Sequence, residues 1–349
     1  MNTSKIDYLN IGLMLASCAV AIFFPFELFL FSYAVLGPLH YLTEIPWLHQ
    51  KDYFSASKRD YWALIVLCAL LSVGVIWVEI FSVNQLFPNV FKPETIEFLQ
   101  KHLVNIFPAI VLASLGWALG MAFIKHTTSK ILLLVGCAIA GLLLQNVESY
   151  KLWVGVMIPT LVHVYVFTGM FILYGALKHK SISGLLSLIV FVCCGVFVFY
   201  FPFLNGIPAM NEYVRNAIVK SGFLSVNEDA ITIFENNLLA SNDHYESKYI
   251  MQRFIAFAYT YHYLNWFSKT GIIKWHKVPL KWLIPAALIW ICSLALYAYD
   301  YRVGLIVLFF LSMLHVFLEF PLNFKTLFAI LQEIKNIVFT NPVKPIHNK

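Results

Sequence analysis

The sequence predicts an all-α, polytopic integral membrane protein, a helical bundle of about nine transmembrane helices that forms one domain over residues 1–349. Hydrophobic residues make up 60% of the chain and charged residues 12%, and the mean hydropathy is +0.76. A soluble domain has about 45–50% apolar and about 25% charged residues, so this composition lies outside that class. Apolar runs of about 20 residues recur along the chain, and each is long enough to cross a bilayer as a helix. We expect membrane lipids around the chain and no nucleic-acid binding, despite a net charge of +6.

Short polar connections divide the apolar runs into nine predicted spans. These are residues 11–36, 61–83, 104–124, 131–147, 152–177, 182–204, 250–267, 280–299 and 303–320. The longest connection, 205–249, mixes acidic and apolar residues, which predicts one or two amphipathic helices on the outer face. Arg253, near the outer end of its span, is expected to extend its charge to the surface.

The distribution of lysine and arginine predicts the orientation. Segments on the side of the N-terminus hold eight of these residues and the opposite side holds fifteen, including four lysines in the loop 268–281. Because basic residues concentrate in cytoplasmic loops, we expect the N-terminus outside and a tail, 322–349, in the cytoplasm. This arrangement fits a bacterial inner membrane.

A short motif is repeated at the ends of the first and last spans. Residues 39–46 read L-H-Y-L-T-E-I-P, and residues 314–321 read L-H-V-F-L-E-F-P. On a helix, His40 and Glu44 lie one turn apart on one face, as do His315 and Glu319. An ionisable residue within a membrane span is costly, so each is a candidate for function.

Two further histidines, His163 and His262, lie inside the fifth and seventh spans, which run in the same direction as the first and the last. His163 lies nearest to mid-bilayer, and a kink at Pro159 or a helix tilt would bring it level with the others.

This set of residues predicts a metal site in the bundle. Neutral imidazole is the most common protein ligand of Zn, Fe, Cu and Ni, and a nearby carboxylate either joins the ligands or orients them. The predicted metal ligands are His40, His163, His262 and His315, and the predicted catalytic or additional ligand residues are Glu44 and Glu319.

The order of these histidines resembles bacterial and archaeal beta-carotene dioxygenases of the Brp/Blh type, which carry P-H-G-x-x-D, H-F-G, H-S-x-x-H and P-H motifs. The matching segments here are Gly37-Pro38-Leu39-His40 with Glu44, His163-Val164-Tyr165, His262 with Asn265 and Trp266, and His315 with Glu319. Tyr41 replaces the glycine of the first motif, and Trp266 replaces the second histidine of the third. The resemblance implies a histidine-bound, non-haem iron and oxidative cleavage of a carotenoid.

Together these observations predict a membrane-embedded oxygenase that uses non-haem iron on a lipophilic carotenoid or isoprenoid substrate taken from the bilayer. Three alternatives remain open. The same residues suit a proton-coupled transporter, in which His and Glu relay protons. They also suit a bis-His haem b protein, or a structural membrane subunit in which polar side chains only pack helices together.

Overall fold

The computed structural model describes residues 3–57, 59–78, 92–203, 210–234, 244–269 and 280–340, and within these ranges it contains helices and no strand. We number the helices in chain order. They are α1 (Thr3–Phe23), α2 (Pro25–Phe31), α3 (Gly37–Gln50), α4 (Tyr61–Val78), α5 (Pro93–Phe123), α6 (Thr127–Leu143), α7 (Glu148–Tyr150), α8 (Thr168–His179), α9 (Ile182–Tyr200), α10 (Glu212–Lys220), α11 (Phe223–Phe234), α12 (His244–Ser268), α13 (Leu280–Tyr299) and α14 (Tyr301–Thr340). Two π-helical segments, Ser32–Leu36 and Lys151–Phe167, join α2 to α3 and α7 to α8.

The structure confirms the predicted all-α membrane bundle. Seven helices in the described part of the chain are long and apolar enough to cross a membrane, and two shorter helices are also apolar. The seven are Ser4–Phe23, Pro25–Gln50, Tyr61–Val78, His102–Phe123, Glu148–His179, Ile182–Tyr200 and Tyr301–Ile337, and the shorter two are Thr127–Leu143 and Leu283–Tyr299. These nine do not include α12, which contains the predicted span 250–267. The described chain therefore has one more candidate span than the predicted nine, because the predicted first span is two helices.

The predicted first span, 11–36, is two helices. Phe24 leaves the helical conformation (φ −134°, ψ 56°), and Pro25 begins α2. Proline is well suited to the first turn of a helix because it has no N–H to leave unpaired. Pro25 and Glu27, the one charged residue of 11–36, lie in the first turn of α2 and are a helix-start signal. The run stays apolar on both sides of them, so the sequence predicts a single span.

Contacts with α12 show that α1 runs antiparallel to it. Near the end of α12, Tyr261 and Ser268 both donate to Asn10 Oδ1, over 3.2 Å and 3.0 Å. Near its beginning, Arg253 Nε donates to the Ile22 carbonyl over 3.1 Å. The start of α1 therefore faces the end of α12.

The segment from α2 to α3 runs parallel to α12 instead. Phe26 packs on Tyr249 with ring centroids 5.3 Å apart, and Trp266 Nε1 donates to Thr43 Oγ1 over 3.0 Å. Helix α1 and the α2–α3 segment thus form an antiparallel hairpin. The beginning of α1 and the end of α3 lie at the same end of the bundle.

The last helix, α14, runs in the same direction as α2 and α3. Tyr301 donates to the Leu30 carbonyl over 3.0 Å, and His315 packs on Tyr41 at 5.7 Å between ring centroids. The end of α14 therefore lies at the same end of the bundle as the start of α1, and not at the opposite end as the basic-residue count predicted. Helix α14 also continues to Thr340, so much of the predicted tail, 322–349, is helical, and 341–349 lies outside the described residues.

Helix α12 lies in the centre of the bundle, and most of its side chains are buried. Arg253, which was expected to reach the surface, is only 3% exposed. Its guanidinium donates to the carbonyls of Ile22 and Phe201, the latter over 2.8 Å, and lies 4.0 Å from the centroid of the Phe203 ring. These carbonyls end α1 and follow α9, where positive charge is favourable.

Helices α10 and α11 occupy the described part of the predicted amphipathic segment, 205–249. Val214, Ala217 and Ile218 of α10 face inward, as does Asn227 of α11. Gly222, at φ +74°, forms the turn between the two helices. Residues 205–209 and 235–243 lie outside the described part of the chain.

A buried ion pair fixes the connection between α3 and α4. Lys130 of α6 is fully buried, and its Nζ lies 2.5 Å from Asp60 Oδ2 and 3.0 Å from Ser57 Oγ. Trp117 Nε1 donates to the Asp60 carbonyl over 2.8 Å. Lys130 directly precedes the predicted span 131–147, whereas the structure places it within α6.

We expect Lys130→Met to destabilise the protein by about 3–5 kcal/mol, since removing one partner leaves the Asp60 charge buried and unpaired. Thermal unfolding of the detergent-solubilised protein measures this. Lys125→Met, at an exposed position between α5 and α6, is the control and should have little effect. Equal melting temperatures for Lys130→Met and the unmodified protein would contradict the role of this pair.

The hairpin of α1 and α2 predicts which residues face the same side of the membrane. Single cysteines in place of Lys5 and Lys335, in a background without the six native cysteines, should react with a membrane-impermeant maleimide from one side. A cysteine in place of the exposed Tyr213 of α10 should react from the other side. Labelling of positions 5 and 335 from opposite sides would show that α1 and α2 form one continuous span.

Candidate metal centre

The four predicted histidines meet inside the bundle, each on a different element. His40 lies on α3, His163 on the π-helical segment before α8, His262 on α12 and His315 on α14. Ring centroids are 4.8 Å apart for His40 and His262, 5.0 Å for His262 and His163, 5.3 Å for His163 and His315, and 5.3 Å for His315 and His40. All four are between 1% and 7% exposed. We call this closed arrangement the histidine ring.

Two π-helical segments help to bring the ring together. One, Ser32–Leu36, directly precedes α3, and the other, Lys151–Phe167, contains both Pro159 and His163. A π-helix is wider than an α-helix, and such segments occur frequently at functional sites. The sequence suggested that a kink or tilt near Pro159 would bring His163 level with the others, and the structure does this with π-helical geometry.

The closest ligand atoms lie at separations that suit one metal ion. The Nε2 atoms of His40 and His262 are 3.2 Å apart, and Glu44 Oε2 is 3.0 Å from His40 Nε2. With metal–nitrogen distances of about 2.1 Å, a 3.2 Å separation corresponds to a ligand–metal–ligand angle of about 100°. The ligand atoms of His40, Glu44 and His315 all lie within 4.8 Å of one another.

The two glutamates lie beside the ring and are nearly fully buried, at 3% and 2% exposure. Glu44 approaches the histidine of its own motif, whereas Glu319 Oε2 lies 3.6 Å from Nε2 of His163, on another helix. The two carboxyl groups also interact with each other. The repeated motif therefore builds one shared site rather than two separate His–Glu pairs.

Several buried atoms of the site have no hydrogen-bond partner within the protein. They include Nε2 of His163 and Oε2 of Glu319, which are 3.6 Å apart and so beyond hydrogen-bond distance. Leaving a buried polar atom unpaired costs about 1–3 kcal/mol, and more if the group is charged. A divalent cation among these atoms would coordinate them and balance the carboxylate charge, so the residues present fit a metal ion.

Neighbouring side chains fix the orientation of the ring. Thr168 Oγ1 lies 2.8 Å from His262 Nδ1, which leaves Nε2 of that ring to face His40. Trp266 packs against His40 at 5.4 Å between ring centroids and bonds to Thr43. Trp266 thus closes one side of the site, at the position where the Brp/Blh pattern has a histidine.

Sequence reasoning missed Thr168 and Asn323. Asn323 interacts with Glu319 and lies one turn beyond it on α14, so helical spacing could have identified it. No comparable signal exists for Thr168, because its partner His262 is 94 residues away in the chain.

One cation lies near the carboxyl pair. Lys269 directly follows α12, and burial lowers the pKa of its amine to about 8, while the charges of Glu319 and Asp7 act in the opposite direction. Lys269 thus adds positive charge beside Glu319, at the end of the bundle where α12 ends.

A cavity of about 310 Å³ adjoins the ring, and His163, His262 and His315 form part of its wall. Side chains of α4 and α14, such as Val75, Ile76, Leu305 and Phe309, supply apolar walls, and the cavity extends to the turn between α10 and α11. Glu44 and Glu319 are not among the lining residues, so the ring separates the cavity from the carboxyl pair.

Comparison of the chain with models of known protein families, with curated protein sequences and with solved structures yields no match.

The donor set indicates which metals suit the site. Imidazole with carboxylate is suited to Zn, Cu, Ni and Fe, and two histidines with one carboxylate and open positions are typical of non-haem Fe(II) oxygenases.

We expect Thr168→Val to lower metal affinity about tenfold or more, because His262 loses the partner that orients its ring. Competition with a chelator of known affinity measures the change. Thr168→Ser keeps the hydroxyl and should bind metal as tightly as the unmodified protein. Unchanged affinity in Thr168→Val would show that this hydrogen bond does not support a metal site.

Proposed function

We propose that this protein is an integral membrane metalloenzyme that oxygenates or oxidatively cleaves a lipophilic substrate, such as a carotenoid or another isoprenoid, with non-haem iron. The observation that carries the proposal is the histidine ring, in which four buried imidazoles from four separate helices meet two carboxyl groups beside an apolar cavity. The resemblance of the histidine order to Brp/Blh-type dioxygenases supports the same class of chemistry.

A purely structural role explains the site less well. Six ionisable side chains within the membrane-spanning bundle are costly, and residues that only pack helices together would satisfy one another by hydrogen bonds. Here Nε2 of His163 and Oε2 of Glu319 have no such bond. Metal ligation gives these atoms a partner.

Different residues of the chain would have different roles in the reaction. The imidazoles would hold the iron, which when bound supplies the activation of oxygen. Thr168 orients His262, and Trp266 closes the site next to His40. The apolar cavity would position the substrate and exclude water, while Glu44 and Glu319 hold charge or a proton on the other side of the ring.

Access from the bilayer fits the location of the cavity. Its walls include Val75 and Ile76 of α4 and Leu305 and Ile306 of α14, apolar side chains that are partly exposed. We propose that the lipophilic substrate enters from the lipid at this side, so that it need not pass through water.

The bundle geometry also changes the orientation that we propose. With the start of α1 at the same end as the end of α14, Lys5 joins the more basic side. The count there rises from fifteen to sixteen of the 24 lysines and arginines, against seven on the other side, with Arg253 buried in α12. We propose a bacterial inner membrane protein in which the start of α1 and the end of α14 both face the cytoplasm.

The contact between Glu44 and Glu319 supports one second candidate, a proton-coupled carrier. The pair lies beside Asn323 and interacts with Lys269, and such groups relay protons in transporters. A carrier would work without stoichiometric metal, so metal content separates the two functions.

Metal analysis with an absorption spectrum of the purified protein tests the proposal. We expect about one iron per chain without a Soret band, because the donor set is that of a non-haem site. The double variant His40→Ala/His315→Ala should lose the iron and remain in the membrane. His49→Ala changes an exposed histidine near the end of α3, the helix that carries His40. This variant is the control and should retain the iron.

A folded, metal-free protein would contradict the metalloenzyme, as would full iron content in the double variant. A Soret band lost in the double variant would assign the ring to haem instead. If His40→Ala/His315→Ala proves unstable, the single variant His315→Gln provides the same comparison with a side chain of similar size.

A further inference from the structure

The cavity has an unused hydrogen-bond donor at a distance from the histidine ring. Gln252 of α12 lines the cavity and is 2% exposed. Its Oε1 accepts a hydrogen bond from Asn227 Nδ2 over 3.1 Å, which fixes the direction of the amide. Its Nε2 has no hydrogen-bond partner within the protein.

Two serine hydroxyls nearby are already satisfied. Ser221 Oγ donates to the Ile218 carbonyl over 3.1 Å, and Ser225 Oγ donates to the Gly222 carbonyl over 2.7 Å. Among the described side chains that line the cavity, Gln252 is the one outside the histidine ring with a buried polar atom that lacks a partner. The amide N–H is therefore available to a ligand.

Aromatic rings surround this part of the cavity. Phe29 and Phe223 pack at 4.7 Å between centroids, Tyr33 and Phe223 at 4.9 Å, and Phe29 and Tyr259 at 5.3 Å. Such walls favour an apolar, unsaturated chain. The unpaired amide donor of Gln252 among them would favour an oxygen atom at a defined point of that chain.

The distance between the Gln252 amide and the histidine ring determines which part of a bound molecule lies at the ring. Gln252 and His262 lie ten residues apart on the same straight element, α12, which corresponds to about 15 Å along the helix axis. If a molecule is bonded to Gln252, the part of it that lies at the histidine ring is therefore about 15 Å from the bonded atom.

We propose that the ligand of this cavity is a lipophilic molecule with a terminal hydroxyl or carbonyl oxygen, and that this oxygen accepts a hydrogen bond from Gln252 Nε2. Gln252 then selects an oxygenated lipid over the hydrocarbon of the same shape and determines which part of the chain reaches the ring. The identification of this ligand as the substrate rests on the proposed function, whereas its binding requires no metal.

The selection follows from the cost of an unpaired donor. A hydrocarbon would bury the amide N–H of Gln252 without a partner, whereas an alcohol or a carbonyl compound supplies an acceptor. A site built to hydrogen-bond a ligand discriminates against the analogue that lacks the group.

The test measures binding of tritiated geranylgeraniol to the full-length protein in detergent, with the hydrocarbon that lacks the hydroxyl as competitor. We expect the alcohol to bind about three- to tenfold more tightly than the hydrocarbon, as one hydrogen bond would give. This first comparison needs no variant. Equal affinities for the two compounds would overturn the proposal.

Variants then assign the preference to a residue. Gln252→Leu should abolish the preference by weakening the binding of the alcohol. Ser225→Ala, which removes a hydroxyl that is already bonded, should retain it. A preference that survives Gln252→Leu would overturn the assignment, and so would its loss in Ser225→Ala.

The His40→Ala/His315→Ala protein separates this inference from the proposed function. Its ring is altered about 15 Å from Gln252 along α12, so it should still prefer the alcohol even if it holds no iron. If the unmodified protein proves to be metal-free but retains the preference, the enzyme assignment fails and the binding site remains.

Discussion

The fold depends on the burial of α12, a helix with many polar side chains, at the centre of an apolar bundle. Within a membrane-spanning bundle, water does not satisfy these groups, so each must find a partner on a neighbouring helix. Arg253 bonds to the carbonyls at the ends of α1 and α9, Tyr261 and Ser268 bond to Asn10, and His262 contacts Thr168 and His40. These bonds fix how α1, α3, α8 and α9 are arranged around α12, and that arrangement positions the histidine ring.

The ring and the cavity therefore follow from the same constraint. Helix α12 contributes His262 to the ring and Gln252 to the cavity, and its rigid geometry holds the two at a constant separation. Supporting residues on helices rather than loops keep a site precise. An apolar cavity beside a polar, closely packed ring is an arrangement suited to chemistry on molecules that dissolve in the bilayer.

Much of this arrangement could be predicted from the sequence. Composition and apolar runs predicted the fold class. The cost of ionisable residues in a membrane singled out the four histidines and two glutamates that the bundle brings together, although not Thr168 and Asn323 beside them. The division of residues 11–36 was missed, because the apolar run has the length of one span and outweighs the helix-start signal of Pro25 and Glu27. The contact of Glu319 with His163, rather than with the histidine of its own motif, depends on helix packing that periodicity alone does not specify.

The hairpin of α1 and α2 has a consequence for biogenesis. A single residue, Phe24, separates the two helices, and neither it nor its neighbour Pro25 carries a charge or a polar side chain. A turn of this kind offers the insertion machinery no hydrophilic loop to hold in water while the second helix is synthesised. The two helices are therefore best delivered to the bilayer together, as one preformed unit. The part of α3 with His40 would then reach its place in the membrane before the other three members of the ring had been translated.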